Sequence, residues 1–147
     1  MSDPKPNVLF LCTGNSCRSQ MAEGFARKLW GDRINVYSAG IEAHGMNPRA
    51  MKVMAEVGVP IDAQHSKHVS EIKGVEFDDV ITVCGHADEA CPMLPGKAKR
   101  IHRGFDDPPK LARDAKSEEE ALAHYRRVRD QIRRYVAESL MADVGGG

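Results

Sequence analysis

One short stretch near the start of the chain limits the folds open to it. Val8-Leu9-Phe10-Leu11 is a continuous apolar run that leads directly into Cys12-Thr13-Gly14-Asn15-Ser16-Cys17-Arg18-Ser19. A helical pattern follows, with Met21, Ala22, Phe25 and Leu29 on one face. An unbroken apolar run, without alternation, reads as a strand covered on both faces, which is the habit of a parallel sheet. The chain therefore begins with a strand, a tight loop and a helix.

Five residues separate Cys12 from Arg18. A loop of this length can wrap a tetrahedral oxyanion, because its backbone N–H groups and the helix N-terminus present positive charge to it. Gly14 permits a backbone shape that side-chain-bearing residues resist. Arg18 offers a planar fork of donors to two anion oxygens, and the same positive surroundings favour the thiolate of Cys12. Ser19 is placed to donate to the sulfur, and Asn15 to brace the loop. A Cys-x5-Arg spacing alone arises by chance, and a buried cysteine in an ordinary turn would also show it. The strand before and the helix after make the oxyanion reading the better one. A nucleotide-binding loop would need Gly-x4-Gly-Lys-Ser/Thr, and no such string occurs.

The remaining pattern repeats the alternation of strand and helix. Val36-Tyr37-Ser38 reads as a second strand. Asn47-Pro48 opens a helix with Met51, Met54 and Val57 as its apolar side, ended by Gly58. Val80-Ile81-Thr82-Val83 reads as a third strand ending at Cys84, and residues 99–102 as a short fourth. Ser117 starts the last helix, with Glu120 completing a capping box. Leu122, Tyr125, Val128, Ile132, Val136 and Leu140 then keep helical spacing. Alternating strands and helices imply an α/β fold with a parallel sheet flanked by helices. At 147 residues, without repeat or linker, residues 1–147 are read as one domain. Ligands of such sheets sit beyond the carboxyl ends of the strands, where Cys12 and Cys84 both fall.

Charge narrows the function further. Lys+Arg and Asp+Glu are both 21, so a nucleic-acid partner, which calls for a basic excess, is not expected. No apolar stretch approaches the ~20 residues of a spanning helix, and the first residues lack a secretory layout. The expected location is the cytoplasm, with no membrane association. Four cysteines there are more often catalytic or redox-active than a disulfide framework. The histidines are scattered, and Cys84 and Cys91 lack zinc-site spacing. Cys17 is read as a packed, inert thiol, and the arginines at 126, 127, 129, 133 and 134 as a solvated helix face.

Cys12 to Ser19, extended by Gln20-Met21-Ala22-Glu23-Gly24, resembles the signature of the low-molecular-weight protein tyrosine phosphatases and their thioredoxin-coupled arsenate reductase relatives. The likeness continues at Asn35–Ile41, His44–Pro48, Val83–Pro92 and Gly104–Pro108. It implies a four-stranded parallel sheet flanked by helices, with the oxyanion held over Cys12. Cys84 and Cys91, separated by six residues, resemble the redox pair of the reductase branch, which phosphatases do not need. Asp107-Pro108 is followed by Pro109-Lys110, where phosphatases of this type carry aromatic residues for a phosphotyrosine ring. The resemblance thus implies arsenate as substrate, Cys12, Arg18, Cys84 and Cys91 as catalytic residues, and thioredoxin as external reductant. Phosphate monoester hydrolysis through a Cys12 phosphocysteine is the alternative. By the same likeness Asp107 is the general acid, with Asp106 its neighbouring candidate.

No tightly bound cofactor is implied. Some relatives hold a potassium ion beside the loop, and Asn15, Glu23 and Ser38 match its ligand positions. Where that pattern has an Asp this sequence is read as carrying His68, a poor ligand for a hard cation.

Overall fold

The computed structural model describes residues 5–83 and 97–144. Four parallel strands, β1 (Asn7–Cys12), β2 (Asn35–Gly40), β3 (Asp79–Thr82) and β4 (Lys99–His102), lie in the order β2-β1-β3-β4. The expected α/β sheet is present. β1 is central, and its residues 8–11 are fully buried, which is why the run is apolar without alternation. Val36 and Val80 flank β1, pairing with Val8 and Leu9. Val83, just past β3, extends the ladder by donating to the Leu11 carbonyl at 3.0 Å.

Helix α1 (Arg18–Trp30) leaves the loop directly, and every residue from Ser19 to Ala26 is buried. Gly24 is required there, because a Cβ would lie 2.8 Å from a methyl of Ile61. Leu29, expected on the buried face, is exposed. Trp30 anchors the end of the helix instead, its indole donating to the Val136 carbonyl.

Helix α2 (Pro48–Glu56) is capped as its sequence predicts, Asn47 accepting from the amides of Arg49 and Ala50. Its buried residues are Ala50, Val53 and Met54, while Met51 and Val57 lie only half-buried. The helix is rotated from the expected face because it packs on the last long helix, where Arg129 donates to the Val53 carbonyl. Gly58 follows with φ +75°, the left-handed turn that favours glycine after a helix.

Short helix α3 (Pro108–Ala112) precedes α4 (Glu118–Glu138), and α5 (Leu140–Asp143) closes the described chain. All six apolar residues expected on the last helix are buried, though Leu140 belongs to α5. Ser117 caps α4 by accepting from the Glu120 amide, but the Glu120 carboxylate accepts from Lys116, not from Ser117. The capping box is displaced by one residue. Among the described residues no helix is long and apolar enough to cross a membrane.

Candidate active site

The loop between β1 and α1 is fixed by its own carbonyl groups. Those of Cys12, Thr13, Gly14 and Ser16 accept from the amides of Ile41, Glu42, His44 and Asn47. Ser66 adds a hydroxyl to Gly14. A trans peptide sets its N–H opposite its C=O. These bonds therefore turn the amides of Thr13, Gly14, Asn15 and Cys17 away from the 41–47 segment, as an anion-binding nest requires. Two glycines permit the close approach. A Cβ on Gly14 would lie 2.2 Å from the His44 ring, and one on Gly40 would lie 2.7 Å from the Thr13 carbonyl.

Beneath the loop lies a layer of buried polar side chains. Asn15 has φ +47°, a left-handed shape that asparagine tolerates better than most residues. Its amide donates to Ser19 at 2.8 Å and to Ser38 at 3.0 Å, and its oxygen accepts from Gln20 and from the Lys67 backbone. The Ser19 hydroxyl in turn lies 2.8 Å from Cys12 Sγ. Cys12 is 3% exposed and sits at the carboxyl end of the central strand.

Arg18 begins α1, and its guanidinium donates to the Phe105 carbonyl at 2.9 Å. A second nitrogen lies 3.7 Å from Asp107 Oδ1. Asp107 occupies the cap position of α3, yet its carboxylate makes no capping bond; Pro109, at the second helical position where a cap finds a donor, has no N–H to offer. The carboxylate faces Arg18, whereas that of Asp106 faces Arg127 at 3.9 Å. The two neighbouring aspartates are thereby told apart. Cys17 is buried, and burial pushes its thiol far above the ordinary range, against the smaller pull of Arg18. Such a thiol is unreactive.

Cys84 and Cys91 lie outside the described residues. The last residue before them, Val83, is bonded to Leu11, the neighbour of Cys12, and accepts from the Phe105 amide.

Asn15, Glu23 and Ser38 converge, but as a closed set. Ser38 donates to Glu23 Oε1 at 2.5 Å, and Arg27 donates to Glu23 Oε2 at 2.6 Å. Lys67 extends its ammonium group to the carbonyls of Ser38 and His65, both at 3.0 Å. His68 is elsewhere, capping the 3-10 turn Val69–Glu71 through its ring nitrogen. The oxygens a potassium ion would need already accept protein donors, and two cationic side chains are in place. These residues do not fit a bound potassium ion.

Sequence reading missed Gln20, Arg27, Lys67 and the Phe105 carbonyl. Gln20 had one signal, a polar residue directly before the apolar pair Met21-Ala22. The others depend on contacts across the chain that no local pattern carries.

A profile of the family described as low molecular weight phosphotyrosine protein phosphatase matches residues 7–145. The chain is 52% identical over 128 residues to an arsenate reductase of Halalkalibacterium halodurans, covering 87% of this chain and 90% of that one. It is 54% identical over 125 residues to an arsenate reductase of Bacillus subtilis, covering 85% and 88%. A solved arsenate reductase in its phosphate-binding state superposes with a TM-score of 0.72 at 31% identity, over 95% of this chain and 99% of that one. A low molecular weight protein tyrosine phosphatase from T. tengcongensis shares the fold, with a TM-score of 0.73 at 24% identity over 94% and 99%. With a buried thiol at the end of the central strand and Arg18 opening the helix that follows, the chain belongs to the low molecular weight phosphotyrosine protein phosphatase family.

Proposed function

We propose that this protein reduces arsenate to arsenite through a relay of Cys12, Cys84 and Cys91, and that thioredoxin regenerates it in the cytoplasm. The observation that carries this reading is the Cys84–Cys91 pair in a chain about half identical, over most of its length, to proteins named arsenate reductase. A hydrolase working through Cys12 alone has no use for that pair.

The steps follow from the chemistry of the groups. Arsenate enters the nest with its oxygens on the loop amides and Arg18. Cys12 Sγ attacks arsenic, and an oxygen leaves as water with a proton from Asp107. Arsenic is still pentavalent in that adduct. Cys84 then attacks Cys12 Sγ, a Cys12–Cys84 disulfide forms, and the electron pair of the broken S–As bond stays on arsenic, which leaves as arsenite. Cys91 attacks Cys84 next, freeing the Cys12 thiolate and leaving a Cys84–Cys91 disulfide. Thioredoxin, at about −270 mV, supplies the two electrons that reduce it.

The test is turnover with thioredoxin, its reductase and NADPH, combined with mass mapping of disulfides. Cys12→Ser is expected to abolish turnover. Cys91→Ser should stop after one arsenite and accumulate the Cys12–Cys84 bond, and Cys84→Ser should release none. Sustained thioredoxin-linked turnover by either single variant would refute the relay.

A further inference from the structure

We infer that Lys67 is a built-in cation that takes the place of a soluble monovalent ion in bracing the nucleophile. The hydrogen bonds run without a break from its surroundings to the sulfur. Its ammonium group holds the Ser38 carbonyl, and the Ser38 hydroxyl donates to Glu23. Asn15 donates to both Ser38 and Ser19, and Ser19 meets Cys12 Sγ. The backbone of the same residue adds two anchors. The Lys67 amide donates to Asn15 Oδ1, and its carbonyl accepts from Gly40 at the end of β2.

Electrostatics requires a cation in this layer. Glu23 is 5% exposed, and a buried carboxylate needs opposite charge close by. Arg27 supplies one cation, but from a side chain more than half exposed. Lys67 supplies the other from a half-buried position, its ammonium group on the carbonyl of Ser38, whose hydroxyl bonds Glu23. Glu23, Arg27, Ser38 and Lys67 also line an open groove of about 920 Å³ beside β2, so an ion from solvent can reach the site once the lysine is gone.

The experiment compares the wild type with Lys67→Met in potassium chloride and in tetramethylammonium chloride at equal ionic strength. Its readouts are the thermal midpoint and the rate at which iodoacetamide alkylates Cys12, located by peptide mass mapping. Neither readout involves arsenate turnover, so failure of the proposed relay leaves this test intact. The wild type should behave alike in both salts. Lys67→Met should alkylate roughly tenfold more slowly in tetramethylammonium, as expected for losing one strong hydrogen bond to the sulfur, and potassium should restore both rate and midpoint. Repair by potassium separates the charge from the packing of the lysine stem, which no ion replaces. Lys67→Gln, which keeps donors without charge, should need potassium as Lys67→Met does. A wild type that itself needs potassium, a Lys67→Met protein unchanged in tetramethylammonium, a loss that potassium does not repair, or a wild-type alkylation rate and midpoint of Lys67→Gln without potassium would each overturn the inference.

Discussion

The loop carrying Cys12 and the loop carrying Asp107 meet at Arg18, yet they are built in opposite ways. The first is buried, and four of its carbonyls and its Asn15 side chain are all bonded. The second is exposed, with Asp107 42% accessible and held to Arg18 only by a 3.7 Å contact. The difference matches the tasks proposed for the two loops. A nest of amides stabilises charge only if its dipoles are fixed beforehand, because reorganising them during the reaction would cost what they contribute. A proton donor has to reach a leaving oxygen and exchange protons with water, which a buried carboxylate does poorly.

Breaking the rigid side should therefore cost stability first. Asn15→Ala would leave the Ser19 and Ser38 hydroxyls, the Gln20 amide and the Lys67 N–H short of a partner in a buried layer. It would also put alanine at φ +47°. Each lost partner costs on the order of 1–3 kcal/mol, with partial relief as the layer relaxes, so a net loss of about 3 kcal/mol is expected. Urea unfolding at constant m-value checks it. A loss below about 1 kcal/mol would show that the layer is not a brace.

Breaking the open side should do the reverse. Asp107→Asn removes a long, half-exposed ion pair, and its effect on stability should stay within about 0.5 kcal/mol. Turnover should fall about a hundredfold or more, the range of a lost general acid. Any hydrolysis of an activated aryl phosphate, whose leaving group needs no proton, should fall far less. Equal losses on arsenate and aryl ester would make Asp107 a structural residue.

The same contrast separates what the sequence reveals from what it hides. The rigid loop was legible because its signals are contiguous: an apolar strand, a Cys-x5-Arg spacing and a helix lie within some twenty residues. Asn47 and Ser117 were legible as caps for the same reason, since a cap bonds the turn beside it. The brace was half legible: Asn15, Glu23 and Ser38 stand out in the sequence, but the cation they meet is Lys67, not His68. One residue of register decided that, and register on a segment joined to the sheet by a single bridge at Gly40 is a tertiary property. Leu29 and the rotated face of α2 were misread because periodicity finds an apolar stripe but not the neighbour that covers it.

What orders the exposed loop comes from the far end of the chain, and a smaller effect should reveal it. Tyr135 on α4 donates to Asp143 on α5 at 2.8 Å, and Arg103 grips the same carboxylate through two nitrogens. The Tyr135 ring meets Phe105 edge-on with centroids 6.1 Å apart, and the Phe105 carbonyl holds Arg18. Tyr135→Phe keeps the ring and loses the hydroxyl, so at neutral pH it should cost about 1.5 kcal/mol, the value of one hydrogen bond to a charged acceptor. For a chain of this size that is roughly 3–6 °C in thermal midpoint. Burial, reinforced by Asp143, pushes the Tyr135 pKa well above its ordinary value, so the folded state favours the protonated phenol. That contribution is fully present below the unfolded pKa of about 10 and is lost as pH rises beyond it, at about 1.4 kcal/mol per pH unit. Tyr135→Phe has no phenol to titrate. The stability gap between the two proteins should therefore hold from neutral pH to about 9.5 and close near pH 11. Urea unfolding across that range measures it, and a gap that stays constant would mean the hydroxyl is not buried against Asp143 in solution.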